Sequence, residues 1–228
     1  GTTEAQFAEA AVSCRAWASQ HPKAQKRDPI TVDDVMSSRS IADPLKVLDC
    51  SLVSDGGAAV VITRKDRAKD GPHKPVTLLG YGEGHAYEHI SQAKDLTTSA
   101  AAQSGRAAYA EAGLTPDDID LLQLYDCFTP ALLIQIEDLG FCGKGEGGAW
   151  LASGISKPGG SKPMNTHGGM LSYCHPGNPG AIFGLTEAMT QMRGNAGERQ
   201  LPNMRRALCH AQGGIMSSHA TIILGVED

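Results

Sequence analysis

The chain has 228 residues, of which 41% are apolar and 20% are charged, and its formal net charge is −5. This length accommodates one large globular domain or two small ones. The acidic balance disfavours nucleic-acid binding, which requires a basic face, and no apolar run approaches the roughly 20 residues that cross a bilayer.

Cysteine and histidine spacing bears on compartment and metal binding. The six cysteines and eight histidines are scattered, and they form neither a paired zinc pattern nor a dense disulfide framework. No secretory signal is visible at the start of the sequence. We therefore expect reduced thiols in a cytoplasmic protein, and no metal site.

The first predicted element is a helix near the start of the chain. Thr3 and Gln6 have the spacing of a capping box. The apolar face at helical spacing consists of Phe7, Ala11, Cys14 and Ala18. Further on, the apolar run Ala58–Thr63 predicts a short buried strand. A polar stretch with prolines follows at residues 64–75, so we place a boundary between a unit at 1–71 and a unit at 72–228.

The second unit opens with a strand followed by a helix. Val76–Tyr81 predicts a strand, and residues 82–95 predict an irregular segment. Thr97 or Thr98 can cap an alanine-rich helix that ends at Gly113. Alternation of strands and helices predicts an α/β fold.

The next strand runs directly into a candidate functional motif. The predicted strand Ile119–Tyr125 is followed by Asp126, Cys127 and Phe128, and Thr129 can cap the helix after them. Such junctions between a strand end and a helix start commonly carry functional residues in α/β proteins. A helix N-terminus would favour the thiolate of Cys127. The alternative is that Cys127 is a small buried apolar residue, as most free cysteines are.

The stretch Asn165–Gly194 predicts a strand end, a glycine-rich loop and a helix. Gly168 and Gly169 permit a tight turn, apolar residues recur at helical spacing from Ala181, and the final glycine fits a C-terminal cap. His175 lies just before the helix N-terminus, where extra positive charge is disfavoured, so we expect a neutral imidazole suited to a general base. The alternative is a histidine that is hydrogen-bonded within its loop. Beyond this stretch, two short strands are predicted at 207–210 and 221–226.

Several motifs carry a resemblance to a known family. The loop GGMLSYCHPGNPG resembles the loop of thiolase-fold enzymes that carries their active-site histidine. YDCF lies where sterol carrier protein-type thiolases have His-Asp-Cys-Phe, and CHAQGG resembles their last loop. The segment DPITVDDVMSSRSIADPLKVLDCSLVSDGGAAVVIT resembles the end of their N-terminal half. The resemblance therefore covers the end of the first thiolase half and the whole second half.

The resemblance implies a fold and a set of site residues. The fold is α/β and thiolase-like, a layered, mixed, five-stranded β-sheet with helices on both faces. His175 is implied as a general base and Cys127 as a second acid/base, with Tyr125 in place of a histidine that helps form an oxyanion hole. The residues expected to bind or orient the substrate are Asn165, Gly168, Gly169, His210, Gly213 and Gly214.

By this resemblance, the expected activity is that of a thiolase-type acyl-CoA acyltransferase of lipid metabolism, an acetyl-CoA acetyltransferase that cleaves or condenses acyl-CoA thioesters. Its nucleophilic cysteine is expected outside this chain, which alone would be inactive. No cofactor is expected beyond the coenzyme A thioester that serves as substrate. Tyr125 and Tyr173 leave open a retro-aldolase of the same fold that acts on β-hydroxyacyl-CoA. A further alternative is a non-catalytic subunit.

The resemblance also implies partners. These are acyl-CoA, the missing N-terminal thiolase half, a second copy in a homodimer or higher oligomer, and a small OB-fold protein. No nucleic-acid partner and no membrane span are expected.

Overall fold

A computed structural model of the chain describes residues 1–226, so the last two residues of the predicted 72–228 unit lie outside the described part. The helices are α1 (Glu4–Ala18), α2 (Val32–Ser37), α3 (Lys65–Ala68), α4 (Ala101–Ala112), α5 (Thr129–Asp138), α6 (Gly147–Ala152), α7 (Gly169–Ser172) and α8 (Gly180–Met192). The strands are β1 (Ser40–Ala42), β2 (Leu45–Lys46), β3 (Thr77–His85), β4 (Leu121–Gln123), β5 (Arg206–Gly213) and β6 (Ser218–Gly225). Within residues 1–226, no helix has both the length and the apolar character needed to cross a membrane.

The main sheet is mixed, with the strand order β3-β6-β5-β4. Strand β6 is antiparallel to both β3 and β5, whereas β4 is parallel to β5. Met164 forms a single parallel bridge to Leu122. The predicted fifth strand is therefore reduced to this one bridge beside β4.

Helices cover both faces of this sheet, as predicted. Neighbouring residues of a strand point to opposite faces. Leu122, Leu208 and Ile223 pack with residues of α1, α4, α5 and α6, whereas their neighbours Leu121 and Ala207 pack with residues of α8. The largest core cluster lies between one face of the sheet and helices α1, α4, α5 and α6.

Helix α4 lies unusually close to β3, which requires glycine in the strand. A Cβ atom at Gly82 would lie 2.2 Å from the Ser104 carbonyl oxygen, and one at Gly84 would lie 2.4 Å from the Ala100 carbonyl oxygen. The strand continues through this glycine-rich segment to His85. The prediction that residues 82–95 are irregular is therefore wrong over the first four positions.

Helix α1 forms where the sequence predicts it. The Thr3 hydroxyl accepts from the Gln6 N–H, and the Gln6 side chain accepts from the Thr3 N–H, which confirms the capping box. Cys14, on the predicted apolar face, packs with Leu171 of α7. Helix α1 thereby supports the loop that carries His175.

The prediction of a buried strand at Ala58–Thr63 is wrong. These residues have no regular secondary structure, and the side chains of Val61 and Ile62 are 92% and 89% exposed. An apolar run becomes a strand only when neighbouring strands satisfy its backbone groups and cover its side chains. Within residues 1–226, no strand lies beside this run.

Two threonines predicted as helix caps have other partners. Helix α4 starts at Ala101, and the Thr98 hydroxyl donates to Asp138 at 2.9 Å. Thr129 is the first residue of α5, and its hydroxyl donates to the buried Asp49 at 2.8 Å. In both cases a long-range carboxylate competes successfully with the local backbone amides.

Candidate active site

Three segments meet around the imidazole of His175. They are the loop after β4, the loop between α7 and α8, and the extended segment that begins at Ser51. The Tyr125 phenol oxygen lies 3.0 Å from Nε2 of His175, and the Ser51 hydroxyl oxygen lies 2.8 Å from Nδ1. The His175 main-chain N–H donates to the Ser54 hydroxyl at 2.7 Å. Both ring nitrogens are therefore engaged by residues far apart along the chain.

The imidazole and the phenol are both held in their neutral forms. Burial lowers the pKa of His175, and the nearby Leu52 backbone offsets part of this shift. Burial, followed by the nearby Cys127 and Asp126, raises the pKa of Tyr125 to about 12. We assign the ring proton to Nδ1, which faces the Ser51 hydroxyl, so that Nε2 accepts from the Tyr125 hydroxyl. The neutral imidazole is thus as predicted, but its cause is burial.

The main chain of Cys127 adjoins this site, and its side chain is a buried, protonated thiol. Its main-chain carbonyl accepts from the Ser51 N–H at 2.9 Å, so Ser51 contacts both Cys127 and His175. Burial and then the adjacent Asp126 raise the pKa of the Cys127 thiol to about 12. The prediction that a helix N-terminus favours the thiolate is wrong, because these two effects outweigh the hydrogen bonds from backbone amides.

The buried carboxylate of Asp126 anchors the loop after β4 to helix α7. This carboxylate, 1% exposed, accepts from the N–H groups of Met170 at 2.8 Å and Leu171 at 3.2 Å, and from the Cys14 thiol at 3.4 Å. Burial raises the pKa of Asp126 to about 6, although these backbone hydrogen bonds oppose the shift. The start of α7 and the loop after β4 are therefore joined at a buried carboxylate.

The two predicted loop glycines are required by close packing. A Cβ atom at Gly169 would lie 2.0 Å from a carboxylate oxygen of Asp126, and one at Gly168 would lie 2.6 Å from Cβ of Ala18. Both glycines also have positive φ, 63° and 108° respectively. Their contribution to substrate binding stays a prediction.

Asn165 continues the hydrogen bonding of β4 beyond the end of the strand. Its side chain is fully buried, accepts from the Leu124 N–H at 2.8 Å and donates to the Leu124 carbonyl at 3.0 Å. Because both ends of the amide bind the backbone, Asn165 orients the strand end that leads to Tyr125. Its predicted contact with substrate is untested.

The predicted residues of β5 and its hairpin separate into two environments. His210 is 3% exposed; its Nδ1 lies 2.8 Å from the Thr221 hydroxyl and its Nε2 lies 3.0 Å from Nδ1 of His219. This arrangement leaves neither ring nitrogen of His210 free for a ligand. Gly213 and Gly214 lie at the exposed hairpin tip. Their role in substrate binding, like that of His210, stays a prediction.

Tyr173, the other loop tyrosine, contacts a separate group of rings. Its ring centroid lies 4.7 Å from that of His21, 5.3 Å from that of His167 and 5.8 Å from that of Phe183. Burial lowers the pKa of His21 to about 4 and that of His167 to about 3. These residues line a cavity of about 290 Å³ on the flank of α8.

Sequence reasoning missed two buried or half-buried glutamines and two serines of this site. Gln135 of α5 binds the backbone of Tyr125, and Gln212 of β5 donates to the Cys127 sulfur at 3.8 Å. A glutamine in the otherwise apolar helix face ALLIQI was a usable signal, because a buried amide needs hydrogen-bond partners. Ser51 and Ser54 gave no comparable signal. Among residues 1–226, no cluster of three or more potential metal ligands is present.

Comparison with known proteins supplies the family. Residues 82–226 match the family model described as "Thiolase C-terminal domain-like", which is more than half of the chain. The chain belongs to the thiolase family. Its predicted resemblance and its α/β, thiolase-like fold are thereby confirmed.

Individual thiolase-family proteins extend this match over nearly the whole chain. "Acetyl-CoA acetyltransferase" of Methanothermobacter thermautotrophicus is 37% identical over 94% of this chain and 56% of its own length. "Steroid side-chain-cleaving aldolase" of Thermomonospora curvata is 38% identical over 100% of this chain and 58% of its own length. A solved structure named "Ltp2-ChsH2(DUF35) aldolase" is 37% identical, with a TM-score of 0.91 over 99% of this chain and 59% of its own. The chain therefore spans somewhat more than half the length of these thiolase-family relatives.

Proposed function

We propose that the whole protein breaks or forms a carbon–carbon bond next to the carbonyl of a coenzyme A thioester, and that this chain supplies its acid–base residues. The reaction that the geometry supports best is retro-aldol cleavage of a β-hydroxyacyl-CoA. The observation that carries this choice is the 3.0 Å hydrogen bond between the Tyr125 phenol and Nε2 of His175.

This hydrogen bond suits a hydroxyl substrate better than a thiol nucleophile. Acyl transfer requires an imidazole nitrogen that can take a proton from a nucleophilic cysteine. Here Tyr125 engages Nε2 and Ser51 engages Nδ1. In contrast, a phenol oxygen that donates to a neutral imidazole can accept a proton from a substrate hydroxyl while it passes its own proton to Nε2.

The cleavage step then proceeds as follows. The proton of the β-hydroxyl moves to the Tyr125 oxygen, and the Tyr125 proton moves to Nε2 of His175. The bond between Cα and Cβ breaks, its electron pair remains on Cα as the thioester enolate, and Cβ leaves as the carbonyl carbon of a ketone or aldehyde. The same pair returns the proton to Cα, which yields the shortened acyl-CoA.

A second candidate is acyl transfer of the thiolase type, and the observation that favours it is that Ser51 binds both the main-chain carbonyl of Cys127 and the His175 ring. In this reaction Cys127 would act as the second acid/base, and the nucleophilic cysteine would lie outside this chain. The chain is about as similar in sequence to a protein named acetyl-CoA acetyltransferase, at 37% identity, as it is to the named aldolase, at 38%, and this similarity supports acyl transfer equally.

Two measurements on the full-length protein separate these reactions. Incubation with β-hydroxyacyl-CoA substrates of different side-chain size, followed by mass spectrometry, should detect a released ketone or aldehyde together with the shortened acyl-CoA. Incubation with acetyl-CoA should leave the intact mass unchanged. An acetyl group on a cysteine, together with CoA-dependent cleavage of a 3-ketoacyl-CoA, would refute the retro-aldol proposal and establish acyl transfer.

The partners belong to the same proposal. We infer that the chain functions with the remaining thiolase half, in a homodimer or higher oligomer in the cytoplasm, and with a small OB-fold protein. The greater length of the relatives supports the remaining half, and the two-part name of the similar aldolase structure supports a partner protein. Size-exclusion chromatography with light scattering on the full-length protein tests its oligomeric state.

A further inference from the structure

We infer that Gln135 is a positioning residue for the acid–base pair, and that Gln212 extends its effect to Cys127. This inference rests on the proposed function, since it concerns the residues that would move protons in it. Gln135 lies on α5 and contacts neither ring of the Tyr125–His175 pair through any hydrogen bond that we observe in residues 1–226.

Gln135 binds the backbone of Tyr125 at two points. Its Oε1 accepts from the Tyr125 N–H at 3.0 Å, and its Nε2 donates to the Tyr125 carbonyl at 2.7 Å. The side-chain amide thus replaces the neighbouring strand that β4 lacks at this residue. Both groups are polar backbone atoms that would be costly to bury without partners.

The second proton on Nε2 of Gln135 connects this contact to Cys127. It is donated to Oε1 of Gln212 at 3.2 Å, so the Gln212 amide must direct its Nε2 elsewhere. That nitrogen lies 3.8 Å from the Cys127 sulfur. One buried glutamine therefore determines the placement of the phenol and, through a second amide, the surroundings of the thiol.

Together with Asp126, these contacts hold the loop on three sides. Helix α5 binds Tyr125, helix α7 binds Asp126 and strand β5 binds Cys127. Because a displacement of about 1 Å in a reacting group can reduce a rate roughly 100-fold, a loop held in this way affects turnover more than binding.

The test compares Gln135→Glu and Gln135→Met in the full-length protein. The introduced carboxylate can still accept from the Tyr125 N–H, but it cannot donate to the Tyr125 carbonyl or to Gln212 until it is protonated. We expect kcat for cleavage to fall about 100-fold in both variants, with KM changed little. Only Gln135→Glu should recover turnover as the pH is lowered.

A matched control is Gln191→Met. Gln191 is 1% exposed on α8 and bonds Glu187 and the Arg199 carbonyl, so its replacement should reduce thermal stability without changing the pH profile. If the Gln135 variants retain the wild-type kcat and pH profile, the positioning role is refuted, whatever their stability.

A second readout does not depend on the reaction. The rate of Cys127 alkylation, measured by peptide mass spectrometry, should increase several-fold in Gln135→Met and in Gln212→Leu, because the loop that buries the thiol is less constrained. Gln212 is only half-buried, so its variant serves even if Gln135→Met does not fold. Unchanged alkylation in a folded Gln212→Leu protein refutes the link to Cys127. Wild-type protein without cleavage activity but with the expected alkylation rates would refute the proposed function alone.

Discussion

At the level of single side chains, the proposed cleavage depends on the Tyr125 hydroxyl, which would accept a proton from the substrate and give its own to His175. Tyr125→Phe removes this hydroxyl and keeps the ring. We expect cleavage turnover to fall about 10²–10⁴-fold, the usual range for loss of a general acid–base group. Steady-state kinetics on the full-length protein measures this effect.

Tyr109→Phe is the matched control for that variant. The Tyr109 hydroxyl donates to the Leu139 carbonyl at 3.2 Å, in the contact between α4 and α5. Its loss should reduce stability slightly and leave turnover unchanged. Similar turnover losses in both variants would mean that Tyr125 acts only through packing.

The pH dependence of turnover is also set at this scale. Burial lowers the pKa of His175, so the neutral base persists below its ordinary value of about 6.5. We therefore expect kcat/KM to rise with pH on the acid side, through a pKa below 6.5, and to stay level at neutral pH. The pKa of Tyr125, about 12, predicts no loss before strongly alkaline pH. An acid limb at or above pH 7 would contradict the assignment of His175 as the base.

At the level of elements, the close packing of α4 on β3 makes a sharp prediction. Gly82→Ala would place Cβ 2.2 Å from the Ser104 carbonyl oxygen, so the helix must move. We expect a loss of about 1–3 kcal/mol in the free energy of unfolding, measured with urea. Gly57→Ala, where no atom lies within 4 Å of the new Cβ, should be nearly neutral. Equal effects of the two substitutions would contradict the packing argument.

The sequence predicts those elements whose form depends on neighbouring residues, and it fails for those that depend on distant ones. Helix α1, with its capping box, and the helix ends at Gly113 and Gly194 depend on neighbouring residues alone, so sequence spacing predicts them. The prediction of a strand at Ala58–Thr63 fails because strand formation depends on neighbouring strands, which a local sequence pattern does not reveal. The prediction that Thr129 caps α5 fails for a similar reason, because its hydroxyl donates to Asp49, which lies 80 positions away in the sequence.

For the molecule as a whole, acid should destabilise the fold. Burial lowers the pKa of five histidines: His21, His167, His175, His210 and His219. Below about pH 6.5 the unfolded chain binds protons that these folded imidazoles do not, so stability falls as the pH decreases. Asp126 acts in the opposite direction, because its pKa is raised to about 6, but it is one group against five. We expect the urea midpoint to decrease between pH 7 and pH 5; an increase would refute this balance.

The candidate site shows the same division between local and long-range information. The resemblance placed His175, Cys127 and Tyr125 in one region. In the structure Tyr125 contacts the His175 ring directly, and Ser51, which no motif indicated, links that ring to the main chain of Cys127. The ionisation of Cys127 could not be deduced from its position before a helix, because the depth of burial decides it. Gln135 was visible as a polar residue in an apolar face, but its partner depends on how α5 packs against the end of β4.

The buried pair His210 and His219 has one further consequence. Nε2 of His219 faces the Met216 carbonyl, which cannot donate, so its Nδ1 must receive the proton of His210. Nδ1 of His210 is then bare and receives the Thr221 hydroxyl proton. The single proton of the Ser104 hydroxyl has two acceptors within reach, the Ala101 carbonyl at 3.2 Å and the Thr221 oxygen at 2.8 Å. The hydrogens of Thr221, His210 and His219 thus all point the same way, toward the turn of the β5–β6 hairpin. The Met216 carbonyl therefore sets the direction of these buried hydrogen bonds, and they can reverse if Met216 leaves its position in the turn.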